Sequence, residues 1–287
     1  MNRAIMSEPL YLNPDHLFSP NPRERDIARE LYQQAKDLPI LSPHGHTDPA
    51  WFATNAAFAD ATELLIKPDH YVFRMLYSQG VSLDELGISR SDGFTSNTDN
   101  RQIWQRFAEH YHCFLGTPSR MWLDHVFADI FGLTAVLTHE TADYYYDAIN
   151  SALASDAFKP RALFERFKIE VLATTESPLD ELQHHKSIRD SGWNGRVITS
   201  FRPDPVVDPE FEGFSDNLQQ LGELSGENCL QWPGYLKALR QRRAFFKSMG
   251  ATATDHGHPT AKTADLSKER CSQLFGQIVS GDFSAQD

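Results

Sequence analysis

The sequence predicts an α/β protein: a partial or distorted (β/α)8 barrel of the TIM type, with a large helical insertion after the first strand. Strand-like and helix-like stretches alternate four times along the chain, the pattern of parallel βα units. Each strand-like stretch ends in residues able to do chemistry: His44 and His46, Thr174 to Glu176, Arg202 and Asp204, Asp255 and His256. In a parallel barrel the carboxyl ends of the strands form the catalytic face, whereas scattered surface charge would show no such phase. The third observation is the block between the first two strands, helical nearly throughout and too long for a simple crossover.

Taken in order, Ser19-Pro-Asn-Pro opens a helix with Asn21 as N-cap and Pro22 in its first turn. Ile27, Leu31 and Ala35 share one face, so this helix is expected to close one end of the fold. Pro39-Ile-Leu reads as a short buried strand running into His44 and His46, and Asp48-Pro49 starts the next helix. Further helix starts are expected at Pro68, at the Ser82-x-x-Glu85 capping box and at Thr117-Pro118. Trp51, Phe73, Trp104, Phe107, Tyr111 and Trp122 read as helical core.

Strand character returns at Ile169 to Thr175. A helix is expected from Ser177-Pro178 through His184 and His185, which read as surface groups or supports for the site. Arg196 to Asp204 is a strand ending on charge, and Phe214, Leu218 and Leu221 mark a helix. Another runs from Trp232 to Met249, its Arg240, Arg242 and Arg243 forming a solvated face, with Gly250 as C-cap. Ala251 to Thr254 is a brief fourth strand, and Asp265 to Ile278 a last helix before a polar tail, Ser280 to Asp287. The expected divisions are 1–49 (N-terminal helix and first barrel strand), 50–166 (helical insertion) and 167–287 (further βα units).

Composition narrows the partners. With 287 residues, 40% hydrophobic and 23% charged, the chain is ordinary for a soluble globular protein. A net charge of −12 argues against a nucleic-acid or anionic-membrane surface, because phosphate binding needs cationic patches. A small anionic ligand is compatible, since one or two arginines outweigh the summed field locally. Cys113, Cys229 and Cys271 are odd in number and widely spaced, which fits neither a disulfide framework nor a zinc site and points to a reducing compartment. Met1 to Pro9 has no apolar core of signal-peptide length, and no apolar run approaches the roughly 18 residues of a membrane span, so a cytoplasmic protein is expected.

The sharpest chemistry lies in His44-Gly45-His46. In extended chain, residues i and i+2 point the same way, so both rings can face one point, and neutral imidazole is a favoured ligand of zinc and similar divalent ions. The apolar run before the pair, the intervening glycine and the helix start after it make this a βα loop of the kind that carries active sites. Among the other histidines, His256 is a candidate site residue, His258 a loop residue, and His110, His112 and His125 helical packing or surface groups.

The series Ser42-Pro-His-Gly-His, Pro68-Asp-His-Tyr-Val-Phe-Arg-Met, Ala173-Thr-Thr-Glu-Ser-Pro-Leu-Asp, Thr199-Ser-Phe-Arg-Pro-Asp and Thr254-Asp-His-Gly resembles the uronate (glucuronate) isomerases of the amidohydrolase superfamily. The resemblance implies a distorted (β/α)8 barrel that interconverts a hexuronate aldose and its ketose, D-glucuronate with D-fructuronate and D-galacturonate with D-tagaturonate. It further implies His44 and His46 as ligands of a divalent metal, usually zinc, and His70 and Tyr71 as the substrate-facing pair, with Tyr71 moving a proton between C1 and C2. By the same resemblance Arg202 faces the hexuronate carboxylate or a developing oxyanion and Asp255 is a polar residue at the mouth of the barrel; with His256, placed near a strand end, they are the expected substrate-binding residues.

Chains of that family are longer, and the part after Asp-His-Gly carries the remaining strands, a later His and Arg, and an aspartate that completes the metal site and acts as base. The expectation is therefore a fragment of a longer product, or a half that pairs with a second copy as a homo-oligomer. Two alternatives stand beside the isomerase: a metal-dependent hydrolase or decarboxylase of the same superfamily, and a non-catalytic fragment binding a metal or a sugar acid.

Overall fold

Short polar side chains that accept from the unpaired first N–H groups set several of the helix starts. A computed structural model describes residues 8–88, 99–258 and 260–284. The helices are α1 (Pro22–Ala35), α2 (Pro49–Thr54), α3 (Ala61–Leu65), α4 (His70–Ser78), α5 (Asn100–Glu109), α6 (Pro118–His125), α7 (Ala142–Leu153), α8 (Pro160–Arg166), α9 (Gln183–Asp190), α10 (Asp204–Val207), α11 (Phe214–Ser225), α12 (Trp232–Ser248) and α13 (Lys268–Ser280). The strands are β1 (Ile40–Ser42), β2 (Ile169–Glu176) and β3 (Arg196–Phe201). Residues 1–7 of the N-terminal stretch and 285–287 of the polar tail lie outside the described residues.

The chain divides into two units, one of Met1–Leu38 with Ala56–Leu163, the other of Pro39–Asn55 with Phe164–Asp287. The first is helical and organised by aromatic side chains. Trp104, Phe107, Tyr111, Phe114, Phe127 and Tyr145 are fully buried. Phe107 meets Tyr111 at 5.3 Å and Phe127 meets Tyr145 at 5.1 Å, both edge to face, as ring quadrupoles prefer. Their polar ends are satisfied: Trp104 Nε1 donates to the Ala142 carbonyl at 2.9 Å, and the Tyr111 hydroxyl donates to Asp124 at 2.7 Å.

In the second unit β1, β2 and β3 form a parallel sheet in that order, with Thr174 opposite Thr199 and Glu176 opposite Phe201. The expected fourth strand is reduced to one parallel bridge between Phe201 and Thr254. Phe201 N–H donates to Ala253 O and Asp255 N–H donates to Phe201 O, which fixes Asp255 beside the end of β3. Phe52 of α2, Phe164 of α8, Leu172 of β2 and Ile188 of α9 form one cluster, and Trp193 stacks on Phe52 at 5.9 Å. A second cluster joins Val206, Phe214, Leu218, Leu221, Tyr235 and Phe275 from α10 to α13.

Several local expectations hold. Asn21, Asp48 and Thr117 cap α1, α2 and α6 through their side chains. Others change. The helix expected at Pro68 begins at His70, because the Asp69 carboxylate accepts from Tyr71 N and Val72 N and so takes the cap. Ser82 and Glu85 make their reciprocal bonds, yet residues 83–87 form turns, since a cap does not by itself propagate a helix. Ser177 to Asp180 is also a turn, and α9 starts only after Leu182, which sits at φ 55°. Arg242 is not a solvated charge: it donates to the carbonyls of Pro178 at 2.6 Å and Asp180 at 2.7 Å, tying α12 to that turn. The last helix begins at Lys268, capped by Ser267, not at Asp265.

The largest differences concern burial. α1 has no buried residue: its expected inward face, Ile27 and Leu31, is 53% and 67% exposed. β1 is the edge of the sheet, and its Ile40 and Leu41 are exposed. Apolar residues state a preference for burial; cover must come from another element, which a local stretch does not encode.

Candidate functional site

β1 ends at Ser42, and the following loop turns both imidazoles toward one point: His44 Nε2 and His46 Nε2 lie 3.1 Å apart, with ring centroids 4.8 Å apart and planes at 80°. Both rings are solvent-exposed. Each is held from behind. His44 Nδ1 lies 2.9 Å from Asp255 Oδ2, across the sheet from the end of β3. His46 Nδ1 lies 3.4 Å from the Thr175 hydroxyl on β2, which in turn donates to the Gly45 carbonyl at 3.2 Å. Gly45 is not demanded by space, since an added Cβ would meet Ala173 O at 3.4 Å, an ordinary contact.

The donor set suits one divalent ion. Two nitrogens each about 2.0–2.1 Å from a tetrahedral zinc would be roughly 3.3 Å apart, near the separation found here. Among the described residues no group of three or more His, Cys, Asp or Glu gathers as a metal site.

Beside the pair runs a chain of charge. Arg202, just past β3, donates from Nε to Asp204 Oδ2 at 2.7 Å and from NH1 to Asp255 Oδ2 at 3.4 Å. Asp204 accepts the Gly257 backbone N–H on both oxygens at 3.0 Å. Burial raises the Asp204 carboxyl, but the Gly257 N–H and the Arg202 bond and charge outweigh it, and the group lies below the usual carboxylate range. A Cβ on Gly257 would fall 2.8 Å from Asp204 Oδ2 and 2.9 Å from an Arg202 nitrogen, so a side chain here would push against the ends of both. His256 is exposed, its ring 5.3 Å from that of His258.

Beneath the strand ends lies a buried polar layer that sequence reasoning left unassigned. Thr199 donates to Glu176 Oε2, and the Thr174 hydroxyl meets His185 Nε2 at 2.9 Å. Glu176 Oε2 is 3.8 Å from the same imidazole nitrogen. Burial pushes the Glu176 carboxyl up despite hydrogen bonds from Thr174 and Thr199, and burial pushes His185 down to about 4. His185 Nδ1 is buried and has no hydrogen-bond partner among the described residues. The available signal was register: Thr174 and Glu176 stand two apart on β2 and share a face, opposite the Thr199 position of β3.

Sequence-predicted residues thus fall in two sets. His44, His46, Arg202 and Asp255 form one connected network in the sheet unit, with His256 next along the loop. His70 and Tyr71 belong to the helical unit, in the first turn of α4, with ring centroids 4.3 Å apart and Tyr71 65% exposed. Asp255, expected to meet substrate directly, has its Oδ2 committed to His44 and Arg202.

Comparison with known proteins agrees with this architecture. A family model described as glucuronate isomerase matches residues 19–287. A uronate isomerase of Sphingopyxis alaskensis is 62% identical over 286 residues, 98% of this chain and 60% of the relative. One from Xanthomonas euvesicatoria pv. vesicatoria is 63% identical over 97% of this chain and 59% of its own length. Among solved structures, glucuronate isomerase from Caulobacter crescentus superposes with a TM-score of 0.93 at 54% identity, covering 97% of this chain and 58% of that one. Uronate isomerase from Thermotoga maritima gives 0.85 at 27% identity, over 96% and 58%. The chain therefore spans about 60% of the length of these curated relatives.

Proposed function

Because the chain belongs to the glucuronate isomerase family, we propose that it carries part of the machinery for interconverting a hexuronate aldose and its ketose, D-glucuronate with D-fructuronate or D-galacturonate with D-tagaturonate. Its parallel sheet is then one arc of a distorted (β/α)8 barrel. The observation that carries the reading is the network linking two convergent imidazoles to a guanidinium through one carboxylate, His44, His46, Asp255 and Arg202.

The reaction moves the C2 proton to C1 and a hydroxyl proton from O2 to O1, with no net change in oxidation of the molecule. It requires a group to carry protons and positive charge beside the enediolate oxygens. His44 and His46 would hold a divalent ion, zinc by preference, which supplies Lewis-acid polarisation of a sugar oxygen when bound. Arg202, oriented through Nε by Asp204 and through NH1 by Asp255, keeps further N–H groups for a carboxylate or an oxyanion. Tyr71, with His70 beside it, is assigned proton transfer between C1 and C2; with an ordinary pKa near ~10, a tyrosine works as a base at neutral pH only near a cation. Asp255 and His256 are assigned to the substrate side of the site.

The test is ketose formation from D-glucuronate by the zinc-loaded chain, followed by NMR. Tyr71→Phe and Arg202→Met are expected to lower turnover by about 10²–10⁴-fold with bound zinc unchanged. Wild-type turnover in both variants would remove these roles. A second reading, a non-catalytic binder of a metal and a sugar acid, is favoured by the two-imidazole donor set among the described residues. Calorimetric uronate binding without conversion would select it.

A further inference from the structure

The hydrogen atoms behind the histidine pair can be counted. Thr175 has one hydroxyl proton, and the Gly45 carbonyl 3.2 Å away can only accept, so Thr175 donates to it. What Thr175 can offer the His46 Nδ1 is then a lone pair, which requires Nδ1 to carry a proton. On the other ring, His44 Nδ1 faces an Asp255 oxygen that also accepts from Arg202, so here too Nδ1 is the protonated nitrogen. Both Nε2 atoms are left with lone pairs, aimed at each other across 3.1 Å. Two acceptors at that distance repel unless a cation sits between them.

We propose that Thr175 and Asp255 are positioning residues that lock both imidazoles in the Nδ1–H form and so set the two Nε2 lone pairs for a single divalent cation. This rests on the metal role of His44 and His46 proposed above. The anchors are unequal. The His44 contact is short and charge-assisted at 2.9 Å, while Thr175 holds His46 through a neutral contact at 3.4 Å. Thr175 is the informative one, because among the described residues its hydroxyl has no other side-chain partner and its loss leaves the Arg202 network in place.

Zinc affinity is read by competition with a chromophoric chelator, and ring protonation by long-range ¹H–¹⁵N correlation on histidine-labelled protein. Thr175→Val should weaken zinc about 10-fold, the low end for a group that orients a ligand, and Thr175→Ser should restore it. Asp255→Ala should weaken it toward about 100-fold. The zinc-loaded wild type should show Nδ1–H and Nε2-bound metal on both rings. This last measurement needs no variant to fold, and coordination through Nδ1 of either ring overturns the inference. Wild-type affinity in Thr175→Val, with affinity lost in His44→Ala, overturns the positioning role and leaves the metal reading standing. Wild-type affinity in His44→Ala overturns both.

Discussion

His185 sits where a charged imidazole is unfavourable: it is 4% exposed, and burial lowers its pKa to about 4. An unfolded chain presents the same group near its ordinary value of ~6.5. As pH falls from that value toward 4, the unfolded state takes up a proton that the folded state refuses, so this group's contribution to stability is complete above ~6.5 and is lost on acidification. Glu176 works in the opposite sense, its raised pKa favouring the fold below its own unfolded value and opposing it as pH rises through the folded one. Comparing variants isolates the histidine. The cost of His185→Gln, from urea unfolding, should shrink by about 2 kcal/mol between pH 7.5 and pH 4.5. A cost independent of pH would mean that folding leaves the His185 pKa where it lies in the unfolded chain. None of this was legible in the pair His184-His185 as sequence, because helical phase places one of two adjacent residues inward without saying which face is covered.

At the scale of elements, caps were legible, as was the aromatic core of Trp104, Phe107 and Tyr111, while the exposure of α1 and β1 was not. Asn21, Asp48 and Thr117 act on N–H groups two or three residues away, so a local reading suffices. Pro68 misled by one turn boundary because a better cap, Asp69, follows it. That cap fixes the first turn of α4, where His70 and Tyr71, assigned above to proton transfer as a proposal, stand. Asp69→Ala should cost about 0.5–2 kcal/mol in urea unfolding, and Asp69→Asn much less. Equal losses in both would mean that the carboxylate charge, not the accepted hydrogen bonds, holds the turn. Arg242 teaches the converse: an arginine in a basic run reads as solvated until a carbonyl-rich turn from another part of the chain, Ser177 to Asp180, is brought under it.

At the scale of the whole molecule, a ligand that binds only the folded state stabilises it by mass action. Zinc at about 100 times its dissociation constant should add about 2.7 kcal/mol, reversed by chelation and absent in His44→Ala/His46→Ala. Hydrogen exchange should place the added protection around residues 42–46, 173–176, 201–204 and 254–257, and uniform protection of the helical unit instead would contradict zinc held by His44 and His46. The parallel arrangement was legible from strand and helix alternation, and the convergence of His44 and His46 from their spacing; Thr175 as a support was not, because only the pairing of β1 with β2 brings it to Gly45. In sequence, segment 39–55 interrupts the helical unit, and its partners come much later in the chain: Ile40 pairs with Ile169, and His44 meets Asp255. During synthesis both imidazoles therefore leave the ribosome well before anything they will bind to exists. The residues of the helical unit end at Leu163, so its aromatic core can form before Asp255 has been synthesised.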